Sequence, residues 1–306
     1  LGIGNAIVDV ICKVNENFIS ENNLTKGTMK LIFEENEFQN LLSNLKIERT
    51  ISGGSVANSI VGLSQLGDEV GFIGKISDDD LGNKYEVGLK NENVKYFYSK
   101  KKEKLPTGTC LILVTPDSER TMCTFLGTAG QINEDDINLD ALNKSELIFL
   151  EGYLWDEGNP KRAFEKAIKN SKKVAMSLSD KFCVERHKPH FLNLVKNKLD
   201  IIFANEEEIM SLIDTNNFDE VINFAKEINK HLIITRGEKG AISVLHNKIS
   251  EIGVKNNLKI VDLTGAGDLF AAGYLHELIK NSSPKKCLEK GTELSSRIIQ
   301  QIGARF

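Results

Sequence analysis

The sequence predicts an α/β fold in which a mostly parallel central sheet carries helices and a small inserted β-sheet forms a lid. The first observation is that short apolar runs alternate with helical patterns through the C-terminal two-thirds of the chain. Such alternation is typical of buried parallel strands joined by crossover helices. The second observation is that two segments, residues 9–33 and 105–127, interrupt this alternation with strand-like patterns.

The elements of the central sheet follow from short runs rich in aliphatic and β-branched residues. We predict its strands at 147–150, 174–178, 201–204, 232–235 and 259–261. Phe191, Leu194 and Val195 recur at i, i+3 and i+4, which predicts a helix between the second and third of these strands. A further helix is expected from Asp268 to about Lys280.

The inserted lid is predicted most clearly by residues 105–127. Strand patterns over 109–114 and 121–125 flank a turn at 116–118, which together indicate a β-hairpin. Residues 9–33 read as further strands with little helix. The alternative interpretation is that these segments extend the edge of the central sheet as antiparallel strands.

The composition indicates one globular unit. The chain has 306 residues with a formal net charge of -4, and 41% of its residues are apolar and 27% charged. This balance is typical of soluble globular proteins. Because the sequence has no internal repeat, low-complexity tract or Pro-rich linker, we expect a single domain over residues 1–306 rather than two tethered domains.

Several functions are disfavoured by features that the sequence lacks. Its longest Lys/Arg run is residues 100–102, so we expect no basic face for nucleic acid. No apolar run approaches the ~18 to 20 residues of a membrane span. The cysteines are odd in number and form no C-x-x-C pair, which disfavours a disulfide framework or zinc site and favours a reducing cytoplasm. Because Leu1 begins inside a strand pattern, we expect a few residues to precede it.

The strongest chemical signal is the segment 262–268, which reads Asp-Leu-Thr-Gly-Ala-Gly-Asp and opens a predicted helix. Small residues at a helix N-terminus let an anion approach backbone N–H groups, and the helix dipole favours negative charge there. Gly265, Ala266 and Gly267 are therefore candidates to stabilise a phosphoryl group in transfer. Asp268 is a candidate general base for a substrate hydroxyl. The competing interpretation is a tight strand–helix turn with an Asp N-cap.

A second pair of glycines, Gly53 and Gly54, precedes a predicted helix that ends at Gly67. Backbone N–H groups at this start, together with the side-chain amide of Asn58, suit a site for sugar hydroxyls. A simple N-cap at Ser55 is an equally good interpretation of the same pattern.

Polar residues follow two predicted parallel strands, at the edge where open α/β sheets bind their ligands. Asn205 and the glutamates at 206–208 follow the strand at 201–204 and are candidates to hold Mg²⁺. Residue chemistry alone does not choose among the three glutamates, and an acidic first helical turn is the alternative. The loop at 235–240 suits nucleotide phosphates or ribose. The absence of G-x-x-x-x-G-K-[ST] excludes a P-loop enzyme.

Two histidines form a weaker candidate. His187 and His190 are three residues apart, but Pro189 between them disfavours a helical pair of metal ligands. We therefore expect a surface loop here rather than a metal site.

In this order, the motifs resemble those of the ribokinase-like carbohydrate kinases, the pfkB family. The resemblance spans nearly the whole chain and rests on the segments 4–9, 53–58, 71–79, 205–208 and 262–268. It implies a ribokinase-like three-layer α/β/α fold with a β-sheet lid. It also implies a small-molecule acceptor, ATP as donor and Mg²⁺ as cofactor, and it leaves open a need for K⁺ and whether the protein is a monomer or a homodimer.

Within this family, the segments 106–110 and 53–55 resemble those of adenosine kinases. This resemblance implies ribose binding by Asp9, Gly54, Ser55 and Asn58. It offers as neighbours of the nucleoside base four apolar candidates, which are Ile7, Leu31, Cys110 and Leu126.

The same resemblance assigns the transfer site. It implies Asp268 as base, the segment 265–267 as anion hole and Arg120 beside the transferred phosphoryl group. It implies Glu208 as the residue that serves Mg²⁺. The nucleotide-binding residues that it implies are Asn205, Thr235, Gly237, Gly240 and Thr264.

The expected reaction is in-line transfer of a phosphoryl group from ATP to the 5′-hydroxyl of adenosine, giving AMP and ADP. The first alternative is the same chemistry on ribose, fructose, 2-keto-3-deoxygluconate or another nucleoside. The second is a catalytically silent nucleoside-binding or regulatory protein, against which the intact Asp268 and its glycines argue.

Overall fold

The computed structural model describes residues 1–117, 119–156 and 158–306, and its strands form two sheets. The strands are β1 (Gly2–Ile3), β2 (Ile7–Lys13), β3 (Met29–Ile32), β4 (Ile47–Ser52), β5 (Gly71–Ile73), β6 (Lys95–Tyr96), β7 (Gly108–Val114), β8 (Arg120–Phe125), β9 (Ile148–Glu151), β10 (Val174–Ser177), β11 (Ile201–Asn205), β12 (His231–Thr235), β13 (Ala241–Leu245) and β14 (Lys248–Ile252). The helices are α1 (Glu16–Glu21), α2 (Glu35–Ser43), α3 (Ser55–Gln65), α4 (Asp80–Asn91), α5 (Leu139–Lys144), α6 (Asn159–Lys169), α7 (Lys181–Asn197), α8 (Glu206–Leu212), α9 (Phe218–Ile228), α10 (Ala266–Ile279) and α11 (Pro284–Ile298).

The larger sheet has the order β14-β13-β12-β11-β10-β9-β1-β5-β6 and is parallel except at β13 and β14. Alternate residues of its central strands enter two separate apolar clusters. Ile201 and Phe203 pack with residues of α3, α10 and α11, whereas Ile202 and Ala204 pack with residues of α6 to α9. Helices therefore cover both faces, which is why these strands are continuously apolar. This confirms the predicted three-layer α/β/α fold.

The predicted strands of this sheet are mostly confirmed. Those at 147–150, 174–178, 201–204 and 232–235 appear with end shifts of a residue. The strand expected at 259–261 is wrong: this segment is irregular and exposed, and the Val261 N–H donates to the Ile299 carbonyl (2.8 Å). Its apolar residues form no ladder because the segment is tied to the end of α11 rather than to a neighbouring strand.

The smaller sheet has the order β3-β8-β7-β2-β4 and shares no strand with the larger one. The interpretation as an edge extension is therefore wrong. The predicted hairpin is confirmed, with Thr109 opposite Phe125 and Val114 opposite Arg120, although Ser118 of its predicted turn lies outside the described residues. The sequence did not predict β4, which pairs with β2, or the short helix α1 within 9–33.

Strand β2 divides its side chains between two environments, because alternate residues of a strand point to opposite faces. Val8, Val10 and Cys12 are buried in the cluster that includes Phe38 of α2. Asp9, between them, lies on the opposite face and lines a cavity. The alternation thus turns Asp9 toward the site.

Helices α3 and α10 pack closely, which brings their N-termini side by side. A Cβ atom at Gly62 of α3 would lie 2.8 Å from Leu269 Cδ1 and 2.9 Å from Ala272 Cβ of α10. Glycine is therefore required at 62 for this approach, and the two glycine motifs meet as a consequence.

Other structural features concern cysteines and membranes. All five cysteines are free and buried. Among the described residues, no helix is sufficiently long and apolar to cross a bilayer.

Candidate active site

The carboxyl ends of four adjacent parallel strands form the floor of the site. Ser177 of β10 lies in register with Glu151 of β9, and Asn205 of β11 lies in register with Thr235 of β12. A cavity of about 400 Å³ opens above these ends and is bounded on its other side by residues 265–268 at the start of α10. Asn205, Glu208 and Thr235, from the two polar motifs predicted at strand ends, therefore share this cavity with the predicted glycine motif.

Asp268 is bound by side chains of α3. Ser55 Oγ donates to Asp268 Oδ1 (2.6 Å), and Asn58 Nδ2 donates to Asp268 Oδ2 (2.9 Å). Ser59 Oγ donates to the Asp268 main-chain carbonyl (2.9 Å). The N-cap of α10 is Gly265, so the simple Asp N-cap interpretation is wrong, and Ser55 is likewise not a cap but a partner of Asp268.

The pKa of Asp268 reflects two opposing effects. Burial raises it above the usual range, whereas the hydrogen bonds from Ser55 and Asn58 and the charge of Arg305 lower it. Burial dominates. A carboxylate with a raised pKa accepts a proton from a hydroxyl more readily, as general base catalysis requires.

The turn before α10 needs glycine at two positions for different reasons. Gly265 has φ 79°, and a Cβ there would lie 2.6 Å from Ala304 Cα. A Cβ at Gly267 would meet nothing within 4 Å, so this residue borders open space. The Ala266 N–H donates to the Leu263 carbonyl (3.2 Å) and is therefore occupied. The part of the helix start that can face an anion begins at Gly267.

The other glycine motif lies against Asp9. A Cβ at Gly53 would lie 2.5 Å from Asp9 Oδ2, and one at Gly54, where φ is 95°, would overlap the Asn5 carbonyl. Burial raises the pKa of Asp9 to about 7; the charge of Arg305 lowers it and that of Asp268 raises it further. Asp9 and Asn58 thus line one cavity, and Gly54 lies between them at the start of α3.

Glu151 is a site residue that the sequence reasoning missed. Its carboxylate is 2% exposed and accepts from Val56 N (3.0 Å), Asn5 Nδ2 (3.0 Å) and Asn5 N (3.3 Å). Burial raises its pKa to about 7 despite these hydrogen bonds. The signal was available, because a glutamate at the end of the buried run at 147–150 is a charge where open sheets bind ligands.

Asn5 is a second missed residue. It is 2% exposed, its Oδ1 has no hydrogen-bond partner within the described chain, and it lines a cavity of about 190 Å³. Buried polar atoms without partners are rare in native structures. The Asn5 side chain therefore holds a buried, unpartnered acceptor in the wall of this cavity.

The apolar candidates separate into two pairs. Leu31 and Leu126 line the same 190 Å³ cavity as Asn5. Ile7 and Cys110 pack with Ala129 in an adjacent cluster, where Cys110 Sγ lies 3.3 Å from Thr124 Oγ1. Neither Ile7 nor Cys110 is among the residues that line the cavity.

Arg120 connects the smaller sheet to the glycine motif. Its Nη1 donates to Asp262 Oδ2 (2.6 Å), which also accepts from the Gly303 N–H (2.8 Å). Asp262 Oδ1 accepts from Thr264 N (3.1 Å) and Oγ1 (2.7 Å). Although burial opposes it, these hydrogen bonds and the Arg120 charge hold the pKa of Asp262 below its usual value. Thr264 is thus bonded within the loop.

The structure distinguishes the three adjacent glutamates. Glu208 is 4% exposed, lines the 400 Å³ cavity and forms a capping box with Asn205. Burial raises the pKa of Glu208 to about 7. Glu206 instead accepts from Arg236 Nε (2.8 Å) and Lys239 Nζ (3.1 Å), while Glu207 is exposed. Of the three, only Glu208 lines the cavity.

This arrangement fits a magnesium ion carried by a nucleotide. No group of three or more His, Cys, Asp or Glu side chains suited to a metal occurs in the described residues. Mg²⁺ commonly binds through one or two carboxylates, waters and substrate phosphates rather than an all-protein cage. Glu208, with Asn205 beside it, suits that mode.

The loop at 235–240 meets the cavity only at its first residue. Thr235 lines the cavity, whereas Gly237 and Gly240 form a tight turn closed by a Gly240 N–H to Gly237 carbonyl bond (3.0 Å). Gly240 has φ 86°, and a Cβ there would overlap the Ile252 carbonyl. These glycines are accounted for by backbone geometry.

A carboxylate beside a helix N-terminus, with a magnesium-compatible carboxylate across the cavity, is an arrangement that suits transfer of a phosphoryl group to a hydroxyl group. Comparison with known proteins agrees. The profile of the pfkB family carbohydrate kinases matches residues 25–306, and the chain belongs to that family. The family implies ATP, with Mg²⁺, as the phosphoryl donor.

Individual relatives differ in the acceptor that their names give. The chain is 26% identical to adenosine kinase 2 of Arabidopsis thaliana, covering 100% of this chain and 95% of that protein. It is also 26% identical to a 5-dehydro-2-deoxygluconokinase of Mesomycoplasma hyopneumoniae, covering 88% and 83%. The solved structure of adenosine kinase from Sinorhizobium meliloti is 34% identical, with a TM-score of 0.91, covering 100% and 94%. This is an adenosine kinase-like member of the family.

Proposed function

We propose that this protein phosphorylates the 5′-hydroxyl of adenosine with ATP, giving AMP and ADP. The observation that carries the proposal is the 190 Å³ cavity, whose lining includes Asn5 and the apolar side chains of Leu31 and Leu126. A planar nucleobase complements a cavity that has such apolar walls and a polar side chain beside them. The names of the Arabidopsis and Sinorhizobium relatives support the same acceptor.

In the proposed mechanism, Asp9, Gly54 and Asn58 hold the ribose while Asp268 faces the 5′-hydroxyl. Asp268 takes the hydroxyl proton as the oxygen attacks the γ-phosphorus. The N-terminus of α10 stabilises negative charge on the transferred group. Magnesium, when bound with ATP beside Glu208, supplies charge neutralisation of the phosphates.

Arg120 has a second proposed role. It lies in the smaller sheet and already reaches the loop that leads to α10 through Asp262. We assign it to the transferred phosphoryl group, which would draw the guanidinium a short distance from this carboxylate. The smaller sheet would then act as a lid over the acceptor and exclude water, within a single domain over residues 1–306.

A sugar or sugar acid is the alternative acceptor. Asp9 and Asn58 suit the hydroxyls of any sugar, and the Mesomycoplasma relative is named as a sugar-acid kinase. An acceptor that lacks a nucleobase would leave the cavity beside Asn5 unfilled, which is why we favour adenosine. A cytoplasmic location remains a prediction from the sequence, which leaves open a need for K⁺ and the choice between monomer and homodimer.

The test is ADP release with Mg-ATP and a panel of adenosine, inosine, guanosine, ribose, fructose and 2-keto-3-deoxygluconate, with and without K⁺. We expect turnover with adenosine and a loss of about 10²- to 10⁴-fold in Asp268→Asn, which removes the base. Turnover of a sugar alone would overturn the adenosine proposal. Nucleoside binding without any turnover would favour the silent binding protein.

A further inference from the structure

Residues 302–305 join the two helix starts that form the site. The Gly303 N–H donates to Asp262 Oδ2, and Ala304 packs on Gly265 before α10. Arg305 turns the other way: its Nε donates to Asn58 Oδ1 (2.9 Å) and its Nη2 to the Gly53 carbonyl (3.4 Å) at the start of α3. This one segment therefore contacts both glycine motifs.

The contact between Arg305 and Asn58 sets the orientation of an amide. A guanidinium has donors and no acceptor, so it is satisfied only by the oxygen of the Asn58 side chain. With Oδ1 facing Arg305, Asn58 Nδ2 faces Asp268 and donates to Oδ2. If the amide were reversed, its oxygen would face the Asp268 carboxylate and the hydrogen bond would be lost.

Arg305 is also a nearby charge for two site carboxylates. The groups around Asp268 are Arg305, Ser55, Asn58 and the carboxylate of Glu151. The charge of Asp268 raises the pKa of Glu151. Asp9 is faced by Arg305 and Asp268. The groups that face Arg305 in turn are Asp9, Tyr85, Glu92 and Asp268. The charge of Arg305 lowers the pKa of both Asp9 and Asp268.

We propose that Arg305 is a positioning residue for proton transfer, which directs the Asn58 amide at Asp268 and brings a positive charge to that end of the site. The inference rests on the proposed role of Asp268 as base and does not depend on which acceptor is used. Arg305 itself does not touch the reacting atoms in this scheme, because Asn58 lies between it and Asp268.

The experiment compares Arg305→Met, Arg305→Lys and the wild-type protein on whichever acceptor of the panel the wild type phosphorylates. In Arg305→Met, we expect kcat to fall by about 10- to 100-fold, and the acid limb of the kcat/KM–pH profile to move to higher pH by roughly one unit. The shift has this sign because loss of the positive charge raises the pKa of the base. Arg305→Lys keeps the charge and is expected to restore the acid limb while recovering kcat only in part.

Arg297→Met is the matched control. Arg297 is exposed, lies on α11 and stacks over Phe306 (4.0 Å), so it shares the region but has no contact with the site. We expect its pH profile to equal that of the wild type. An unchanged acid limb and kcat in a folded Arg305→Met protein would overturn the inference.

A second measurement needs no acceptor. The Asp268 carboxyl can be titrated by carbon NMR in protein labelled at aspartate, with Asp268→Asn used to assign its signal. We expect its pKa to be higher in Arg305→Met than in the wild type. Equal values would overturn the inference, whereas failure of adenosine turnover with a raised value would overturn only the proposed substrate.

Discussion

At the scale of single residues, the site is built from carboxylates held in unfavourable surroundings. Burial raises the pKa values of Asp9, Glu151 and Glu208 each to about 7. Groups with raised pKa values bind more protons in the folded state, so their contribution to stability is present at low pH and is lost as pH rises through 7. These buried carboxylates therefore lower the free energy of unfolding at neutral pH.

Glu151 offers a test of this arrangement. Both oxygens of Glu151 accept from N–H donors. In Glu151→Gln, the new amide nitrogen would face the N–H of Val56 or of Asn5, and that hydrogen bond would be lost. We expect destabilisation by about 1 to 3 kcal/mol and reduced kcat/KM, because the Gly54 loop loses an anchor. Chemical denaturation and steady-state kinetics measure the two effects. Glu146→Gln, at an exposed residue paired with Lys172, is expected to change neither.

His231 carries a separate pH dependence. It is buried in a hydrogen-bonded group with Ser243 and Tyr274, and burial lowers its pKa to about 4. The unfolded chain binds more protons between pH 4 and 6.5, so this part of the stability is present above pH 6.5 and lost as pH falls toward 4.

The corresponding variant is His231→Gln. We expect its unfolding free energy to fall less steeply between pH 6.5 and 4 than that of the wild type, by at most about 3 kcal/mol over the window. Denaturant titrations at several pH values measure this slope. His246→Gln removes an exposed histidine, and an equal flattening there would contradict the assignment to His231.

At the scale of elements, the start of α10 depends on the segment at 302–305 as much as on its own sequence. Gly265→Ala combines a left-handed backbone with an overlap on Ala304. We expect it to lose most activity and at least about 1 to 3 kcal/mol of stability. Thermal unfolding and ADP release measure both.

Gly67 provides the matched control, because its φ is 89° and a Cβ there would meet nothing within 4 Å. Gly67→Ala therefore has the backbone strain without the overlap. If both variants lost equal stability and Gly265→Ala stayed active, the contact with Ala304 would have no role in shaping the anion site.

Helix α7 shows how an element can override a local signal. We expected a surface loop at His187 and His190, but both lie within α7, where the chain is kinked at His187 (φ -117°) two residues before Pro189. Proline removes a backbone donor and kinks a helix without necessarily ending it. Burial of His187 and Phe191 against the body favours continuing the helix.

At the scale of the whole molecule, Arg120 links the smaller sheet to Asp262, in the loop that leads to α10. If the smaller sheet closes as a lid, substrates should slow amide exchange in β7 and β8. With adenosine and a non-hydrolysable ATP analogue at about 100 times their dissociation constants, we expect slowing of up to about 100-fold there. Strand β14, at the far edge of the larger sheet, serves as the internal control. Equal exchange with and without ligands would contradict the lid.

The sequence by itself determined the alternation of parallel strands and helices, the hairpin, the two glycine motifs and the polar residues that follow two of the strands. These depend on local chemistry: runs of apolar residues fit buried parallel strands, and small residues fit a helix start that receives an anion. Asp268, Ser55 and Asn58 were recognisable for that reason, although their hydrogen bonds to one another were not.

Only the tertiary structure decided how the motifs are held. The pair Asn5–Glu151 is separated by 146 residues and the pair Asn58–Arg305 by 247. Glu151 ends a recognisable apolar run, but its partners do not follow from that run, and Arg305 belongs to no local pattern. The tertiary structure also shows that Glu208, of the three adjacent glutamates, lines the cavity, and that β4 belongs to the smaller sheet. Such choices depend on burial and on which distant segment fills the space beside a group, and a local pattern carries no information about either.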